Sequence, residues 1–322
     1  MIIQFICNFL LTIFLLNLFL TKINKPDLLD KNILGFGSKK TKTGSGIVFS
    51  IILLINYTYY LFDQSLSELY PNKYYVLLIS IFILSTISFI DDLYSLDPIF
   101  RLVCQLIIIY FSTALIDTYY FSVPIKIIMF LYIIFWVYIV NVTNFIDGSD
   151  GYLTVNAISF LLGIVIINQF LPNAYFSYWL AIILLPILLA FIYFNKPKAK
   201  LYMGDTGSVL IGYILGFCLL ELITSQYWYL SIALYAYPVL DCSLVTLNKI
   251  YSGKSIFNRN FSYFFQLPFK NSKNHYKVLS ITIIYNFMNL LIVFFTLHTE
   301  NKYLIILSVI LSIIKIQIYR KI

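Results

Sequence analysis

The chain has 322 residues, of which 61% are hydrophobic and only 11% are charged. Soluble domains carry about 25% charged residues, and a mean hydropathy of +0.87 leaves too little polar surface to face water. This composition excludes an ordinary soluble protein and favours one that has the lipid bilayer as its solvent. The net charge of +8 would suit a nucleic-acid partner only on a soluble basic face. The basic residues lie instead in short links between apolar runs, so we expect no nucleic-acid partner.

Apolar runs of about 16 to 22 residues recur along the chain, and each is long enough to cross a bilayer. We place them at residues 1–21, 45–62, 74–90, 102–117, 124–140, 153–171, 176–194, 207–224, 227–248, 278–297 and 303–319. They predict an all-α, polytopic integral membrane protein with about eleven transmembrane helices and a single domain, 1–322. The first run lacks a preceding basic segment and a following small-residue cleavage site, which favours a transmembrane helix over a removed signal peptide.

The basic residues predict the orientation of these helices. Most of the lysines and arginines lie in alternate links, at 22–44, 91–101, 195–206, 249–277 and the pair Arg320–Lys321. The opposite links hold only Lys73 and Lys302. By the positive-inside rule the basic side is cytoplasmic. We therefore expect a multi-pass protein of the cell inner membrane, with its N-terminus outside and its C-terminus in the cytoplasm.

A first acidic motif, Asp91–Asp92, ends the third predicted helix. Two adjacent carboxylates repel each other, and they need a cation or a shared proton. An ordinary solvated start of a loop is the alternative interpretation. We favour a functional site, because ionisable residues near membrane depth tend to be functional.

A second motif, Asn141-Val-Thr-Asn-Phe-Ile-Asp-Gly-Ser-Asp-Gly151, follows the fifth apolar run. Asn144, Asp147 and Asp150 are spaced three residues apart and would share one face if they lay on a helix. Oxygen ligands beside flexible glycines suit Mg²⁺ or the hydrogen-bonding edge of a nucleotide. A polar turn is the alternative, but a turn does not require four such side chains.

A third motif, Gly204-Asp-Thr-Gly-Ser208, opens the eighth helix. The exposed amides of a helix N-terminus attract phosphate, and Asp205 there suits a metal bound to that phosphate. The alternative, which is compatible with the first, is that Asp205 or Thr206 caps the helix. The preceding Lys196, Lys198 and Lys200 are explained at least as well as topology signals.

Three further features carry weaker signals. Lys39, Lys40 and Lys42 precede Gly44-Ser-Gly46 and suggest a phosphate-binding edge, although a lone GxG is weak evidence. Asp241 lies within the ninth helix, so we expect it to face the bundle interior. His275 lies in a basic, aromatic segment that we interpret as a surface near lipid headgroups, with the histidine an incidental polar residue.

Together the motifs resemble those of the polyprenyl-phosphate N-acetylhexosamine-1-phosphate transferases (glycosyltransferase family 4). The resemblance rests on Phe89-Ile-Asp-Asp-Leu93, on Asn141–Gly151 and on Asn195–Ser208, in their order, spacing and shared side of the membrane, and it covers nearly the whole chain. It implies that polyprenyl phosphate attacks the β-phosphorus of a UDP-N-acetylhexosamine and that UMP leaves. It also implies Mg²⁺, with Mn²⁺ as an alternative, to neutralise the diphosphate.

The resemblance implies a role for each matching residue. Asp91 and Asp92 resemble the pair proposed to activate the lipid phosphate, and Asp205 resembles the aspartate that ligates Mg²⁺. The nucleotide and sugar phosphate would be held by Asn141, Asn144, Asp147 and Asp150, with the basic residues Lys39, Lys40 and Lys42 resembling the segment before helix two. The partners implied are polyprenyl phosphate, a UDP-N-acetylhexosamine and the membrane, while the oligomeric state, including a homo-oligomer, stays open.

The last cytoplasmic link departs from the family pattern. It reads Asn260-Phe-Ser-Tyr-Phe-Phe-Gln266 where many relatives carry a histidine-rich motif. This departure disfavours the peptidoglycan branch and favours the branch that initiates O-antigen or capsule chains. Two alternatives remain, namely an inactive relative that acts as an assembly partner, and a transporter. Transport is disfavoured because the acids cluster at one face and no internal repeat is visible.

Overall fold

A computed structural model describes residues 2–23, 28, 41–61, 71–116, 125–171, 176–255, 263–272 and 275–322. Eleven long helices account for most of these residues, and we number them in chain order. They are α1 Ile2–Lys22, α2 Ile47–Leu61, α3 Pro71–Tyr94, α4 Pro98–Ser112, α5 Ile125–Ile146, α6 Tyr152–Phe170, α7 Phe176–Asn195, α8 Gly204–Ile223, α9 Tyr229–Tyr251, α10 His275–Thr299 and α11 Ile306–Lys321. A turn at Phe264–Gln266 and a short helix at Leu267–Ser272 precede α10.

Ten of these helices are long and apolar enough to cross a membrane, when α4 and α11 are taken with their flanking turns. The remaining one, α2, is apolar over the shorter stretch Ile47–Tyr59. Each of the eleven predicted spans therefore corresponds to an observed helix, and the prediction of an all-α polytopic membrane protein is confirmed. Within the described ranges, the one strand-like contact is an isolated parallel bridge between Lys42 and Leu201.

Helix α8 forms the centre of the bundle. Its residues are buried along almost the whole length, and it packs mainly against α5 and α3. The Trp136 indole of α5 stacks on Tyr213 with ring centroids 4.9 Å apart, and it donates a 2.8 Å hydrogen bond to the Tyr213 carbonyl. A side chain at Gly216 would collide with this indole. The close packing fixes α8 and thereby the position of its N-terminus, which carries Asp205.

Two helices run further than apolarity predicted. Asp91 and Asp92 lie inside α3, which continues to Tyr94, and Asn141 and Asn144 lie inside α5. The predicted spans, which end at residues 90 and 140, are therefore too short at the ends of these two helices. A segmentation by apolarity stops at the first polar side chain. The helical backbone hydrogen bonds continue beyond it because residues of neighbouring helices form hydrogen bonds with those polar side chains, as the contacts below show.

The segment before α2 packs closely on the segment before α8. Ser45 Oγ donates to the Tyr202 carbonyl at 2.8 Å, and the Gly46 N–H donates to the Met203 carbonyl at 2.9 Å. A side chain at Gly46 would collide with the backbone of Gly207. The glycine is therefore explained by the close approach of two backbones, without a phosphate ligand.

Candidate active site

The N-terminus of α8 is capped by a residue from another helix. Met203, at the N-cap position, makes no side-chain capping bond. The Asp92 carboxylate of α3 caps it instead, accepting from the N–H of Asp205 at 2.8 Å and from the N–H and hydroxyl of Thr206 at 3.1 and 2.5 Å. Gly204 has φ +70°, and a side chain there would collide with this carboxylate. Asp92 thus fixes the helix end that presents Asp205, and its predicted catalytic role stays a prediction.

Arg101 of α4 joins two of the predicted acidic residues. One guanidinium nitrogen, Nη1, lies 2.5 Å from Oδ2 of Asp91 and also contacts Oδ2 of Asp205. The other oxygen of Asp91 accepts the Leu96 N–H at 2.6 Å. The sequence analysis did not select Arg101. What the sequence offered was a lone arginine near the start of the helix that begins after Asp97, nine residues after the aspartate pair.

Asp147 differs from its neighbours because its carboxylate forms no hydrogen bond or ion pair within the described part of the chain. Burial, followed by the nearby charges of Asp205, Asp92 and Asp150, raises its pKa to about 8. Such a carboxylate needs a proton or a cation when it is close to other acids. Asp147 therefore marks the point of the cluster at which positive charge is missing.

Asp150 connects the second motif to the link between α7 and α8. Its carboxylate accepts the N–H groups of Lys198 and Ala199 at 3.0 and 3.2 Å and the Tyr202 hydroxyl at 3.1 Å. Helix α5 ends at Ile146, so Asp150 lies on a turn and not on a shared helical face with Asn144. The three-residue spacing therefore does not reflect one continuous helix.

Asn195, at the end of α7, supports the same turn. Its side-chain oxygen accepts the Gly151 N–H at 3.1 Å and the Thr154 hydroxyl at 2.8 Å, and its amide donates to the Leu201 carbonyl. Asn195 begins the Asn195–Ser208 segment that supports the family resemblance, but no role was predicted for it from the sequence. We assign it to holding residues 147–154 against the segment that leads into α8.

The two asparagines of α5 have separate partners. Asn144 accepts a hydrogen bond of 2.9 Å from the Ser208 hydroxyl of α8, which brings it to the first turn behind Asp205. Asn141 lies one turn away and donates to the Gln105 side chain of α4 at 2.9 Å. Asn144 is thus placed beside the acidic cluster, whereas Asn141 joins helices α4 and α5.

Of the three predicted basic residues, Lys39 and Lys40 lie outside the described residues. The Lys42 ammonium donates to the Leu20 carbonyl of α1 at 2.6 Å, and the Lys42 carbonyl accepts the Tyr202 N–H at 2.8 Å. Lys42 is therefore held beside the start of α8 through its backbone, with its ammonium on α1.

His275 is part of the site surroundings, so its interpretation as an incidental surface residue is wrong. Its Nδ1 lies 3.1 Å from the Ser149 hydroxyl and accepts the Asp150 N–H at 3.3 Å. The distance from Nδ1 to the Asp150 carboxylate is 3.9 Å. Sequence reasoning missed this residue because 125 positions separate it from its partner.

The donor set of the cluster fits Mg²⁺ bound together with a substrate phosphate. Among the residues that the structure describes, no three histidine, cysteine or carboxylate side chains form a complete metal cage. Mg²⁺ usually binds to one or two carboxylates and to substrate phosphates, and it retains several waters. Asp147, which has no cationic partner among the described residues and is next to the charge of Asp205, provides oxygen ligands of that kind.

An apolar groove begins one helical turn from Asp91 and Arg101. Its volume is about 420 Å³ and its surface is almost wholly apolar. The lining comes from one side of α3 and the facing side of α4, namely Val76, Ile79, Ser80, Ile83, Ile87, Cys104, Ile107, Ile108 and Phe111. The groove places a lipid-like environment next to the charged cluster.

Comparisons with known proteins agree with this class of site. The family model for Glycosyl transferase family 4 matches residues 74–223, the part of the chain that contributes most of the cluster. A phospho-N-acetylmuramoyl-pentapeptide-transferase of Thermotoga neapolitana is 27% identical over 257 residues, covering 74% of this chain and 78% of the relative. Enzymes with the same name are 30% identical over 185 residues in Streptococcus uberis and 34% identical over 87 residues in Leuconostoc citreum.

The matched regions differ in extent. They cover 51% of this chain and 53% of the Streptococcus protein, but only 26% of this chain and 27% of the Leuconostoc protein. The fold is that of an all-α polytopic membrane protein, and the family match and the relatives point to the phospho-sugar transferase class of enzymes. Residues 74–223, a little under half of the chain, match the model of Glycosyl transferase family 4, and the names of the relatives are those of phospho-sugar transferases.

The names of these relatives belong to the peptidoglycan branch, which the sequence analysis disfavoured. The comparisons give no support to the O-antigen or capsule branch. Part of the segment that motivated that choice, residues 260–262, lies outside the described residues. The O-antigen or capsule branch therefore stays a prediction from the sequence.

Proposed function

We propose that the protein transfers an N-acetylhexosamine-1-phosphate from a UDP-sugar to polyprenyl phosphate, releases UMP and starts a lipid-linked cell-envelope glycan. The observation that carries this proposal is the single Arg101 guanidinium between Asp91 and Asp205, beside the unpaired Asp147 and at the end of an apolar groove. A phospho-sugar transfer to a lipid needs both a strongly charged centre and an apolar channel.

The acceptor is a phosphate on an apolar tail, and the α3–α4 groove suits the tail. Ile87 lies four residues before Asp91, and Cys104 lies three residues after Arg101, so one helical turn separates the groove from the charged groups. In our proposal Arg101 binds the acceptor phosphate, because a guanidinium matches the geometry of phosphate oxygens. Asp91 orients this guanidinium through the 2.5 Å contact.

The donor is a nucleotide diphosphate, and the α5–α8 side of the cluster suits it. In our proposal Asp205 and Asp147 would hold Mg²⁺, and Asn144 would contact the nucleotide or the sugar phosphate. Mg²⁺, when bound, would neutralise the charge that develops on the diphosphate. Asp92 contributes by keeping the N–H groups of Asp205 and Thr206 in place.

The basic links favour a cytoplasmic location for this site. The ends of α3 and α5 and the start of α8 meet at the side of the bundle that carries Lys196, Lys198 and Lys200. By the positive-inside rule this side faces the cytoplasm of a cell inner membrane. A cysteine introduced at exposed Lys254, on the same side, should react with an impermeant maleimide only in inside-out vesicles.

A second candidate donor follows from the names of the relatives. Those proteins are phospho-N-acetylmuramoyl-pentapeptide-transferases, so a phospho-N-acetylmuramoyl-pentapeptide is the alternative group to be transferred. The two candidates share the acceptor, the metal and the acidic cluster. They differ only in the sugar-1-phosphate that the donor carries.

The deciding experiment is a transfer assay with purified protein in detergent, polyprenyl phosphate, Mg²⁺ and labelled donors. The panel contains several UDP-N-acetylhexosamines and UDP-N-acetylmuramoyl-pentapeptide. Label that enters the lipid phase with release of UMP supports the proposal, and the donor that works chooses between the two candidates. Folded protein that transfers no label, beside an active control enzyme, contradicts the proposal and favours an inactive assembly partner.

A further inference from the structure

A pair of buried ionisable residues lies next to the site, and the proposed chemistry does not use it. Asp241 of α9 is 0% exposed and Lys315 of α11 is 2% exposed. Ionisable side chains inside a membrane bundle are costly and usually serve a function.

The Lys315 side chain is surrounded by tyrosine rings. Its ammonium is 4.0 Å from the ring centre of Tyr237, 4.3 Å from that of Tyr285 and 5.4 Å from that of Tyr152. It has no hydrogen-bond partner among the described residues. Burial disfavours the charged form of Lys315, whereas the ring faces and the charge of Asp241 favour it.

Asp241 holds a turn in the link between α9 and α10. Its carboxylate accepts the N–H of Phe264 at 2.9 Å and the N–H of Phe265 at 3.2 Å. The hydroxyl of Tyr237 donates to the same carboxylate at 2.8 Å. Tyr237 therefore contacts both Asp241 and Lys315 and connects them.

The turn that Asp241 holds packs directly on the second motif. The ring of Phe265 stacks on that of Tyr152 at 4.3 Å, and the ring of Tyr263 stacks on that of Phe145 at 6.0 Å. Gln266 is buried against Gly148, where an added Cβ would lie 2.7 Å from the Gln266 amide nitrogen. These contacts lie on both sides of Asp147.

The C-terminal helix contacts the same turn from the other side. The Arg320 guanidinium of α11 lies 4.7 Å from the ring centre of Phe264. The Tyr319 hydroxyl contacts the hydroxyl of Thr282 at 2.9 Å and donates to the Val278 carbonyl at 3.2 Å, which fixes α11 on α10. None of these α10 and α11 residues falls in the segment that the family model matches.

We propose that Asp241 and Lys315 are positioning residues that hold the Tyr263–Gln266 turn against residues 145–152 and so set the geometry of the donor-binding side of the site. The part of this inference that concerns the donor rests on the proposed function. The part that concerns the two segments does not, because it follows from the hydrogen bonds and ring contacts alone.

The test compares amide hydrogen exchange in the wild type with Asp241→Asn and Lys315→Met, without substrates. Both variants should raise exchange at 264–265 and also in 147–152, on the order of tenfold, because each removes one partner of the pair. The double variant should disturb exchange less than the sum of the single ones, since it leaves no unpaired buried charge. If a single variant does not fold, the double variant is compared with the wild type instead.

Matched controls separate the pair from general effects of charge removal. Glu221→Gln alters a carboxylate that likewise accepts two backbone N–H groups, those of Phe176 and Ser177, at another helix start. Lys302→Met removes another lysine that lies over a tyrosine ring, 5.8 Å from the ring centre of Tyr303. Both controls should leave exchange in 147–152 unchanged.

Kinetics test the link to the donor. Asp241→Asn should raise the KM for the UDP-sugar several-fold while kcat changes less, which a general loss of folded protein would not produce. Exchange in 147–152 that stays at the wild-type rate in both single variants overturns the positioning role. Raised exchange with an unchanged donor KM overturns the donor part. A wild type that transfers no label refutes the proposed function, and the exchange result then decides the positioning role by itself.

Discussion

The carboxylate of Asp92 accepts a 2.8 Å hydrogen bond from the backbone N–H of Asp205, 113 residues further along the chain. A helix N-terminus leaves its first N–H groups without partners and carries a partial positive charge. Helix α3 supplies the missing acceptor for α8, so the two acidic motifs are joined before any substrate binds. The Asp91–Asp92 pair therefore has two different environments, since Asp91 pairs with Arg101 and Asp92 with backbone amides.

Asp92→Asn should destabilise the protein, because an amide nitrogen would replace one of the accepting oxygens and leave N–H groups of α8 without an acceptor. The cost should be about 1–3 kcal/mol of the free energy of unfolding. Thermal unfolding in detergent measures it. Asp97→Asn is the control, since Asp97 is an exposed N-cap of α4 and asparagine caps equally well. Equal midpoints for both variants would contradict the capping role.

Arg101→Gln should lower the thermal midpoint of metal-free protein, because Asp91 and Asp205 would then lie close together without a cation. Added Mg²⁺ should raise the midpoint of the variant more than that of the wild type, since no guanidinium competes for Asp205. Transfer should fall as well. Lys254→Gln, at an exposed lysine, serves as the control for loss of one positive charge. An identical response of variant and wild type to Mg²⁺ would show that Arg101 does not compete with the metal.

Asp205→Asn should reduce transfer on the order of 100-fold or more, because the substrate diphosphate would lose its bound cation. EDTA should stop the wild-type reaction, and added Mg²⁺ or Mn²⁺ should restore it. Thermal unfolding establishes that the variant is folded. Glu300→Gln, at an exposed position in the link between α10 and α11, should retain wild-type transfer. Folded Asp205→Asn protein with the wild-type rate would refute the metal role.

Asp147 should make stability depend on pH in metal-free protein. Its pKa is raised from 3.8 to about 8 in the folded chain, so between these values the folded state retains a proton that the unfolded state releases. The stabilisation is complete below about pH 3.8 and is lost as pH rises towards 8. The thermal midpoint should therefore fall between pH 6 and pH 8, and Asp147→Asn should reduce this fall. Ser149→Ala, a neutral neighbour, should retain it; an unchanged slope in Asp147→Asn would contradict the assignment.

Gly46→Ala should destabilise the protein strongly, because the new methyl group would collide with the backbone of Gly207, which cannot move independently of α8. Gly163→Ala is the matched control, since its methyl group would meet the end of the flexible Leu234 side chain. Thermal unfolding of the two variants gives the comparison. Equal losses of stability would show that the contact between the segments before α2 and α8 is not tight.

Some of the site was predictable because its residues form short local patterns. Asp91–Asp92, the Asn141–Gly151 run and Gly204–Ser208 could be selected without a structure, since clustered polar side chains are unusual next to apolar spans. The structure brings Asp91, Asp92, Asp147 and Asp205 together, as that selection expected. Arg101 and His275 were not selected, because each is an isolated residue in the sequence; Asp205 lies 104 positions from Arg101, and Asp150 lies 125 positions from His275.

The sequence by itself determined that the protein lies in a membrane, how many helices it has and which acidic motifs it carries. The length of an apolar run and the clustering of polar residues are local properties of a chain. The tertiary structure decided what each acid does. Asp92 caps a helix, Asp150 holds a loop and Asp147 lacks a cationic partner among the described residues, although all three have the same side chain. The difference arises from which backbone amides, cations and other carboxylates lie within a few ångströms, and helix packing alone sets those neighbours.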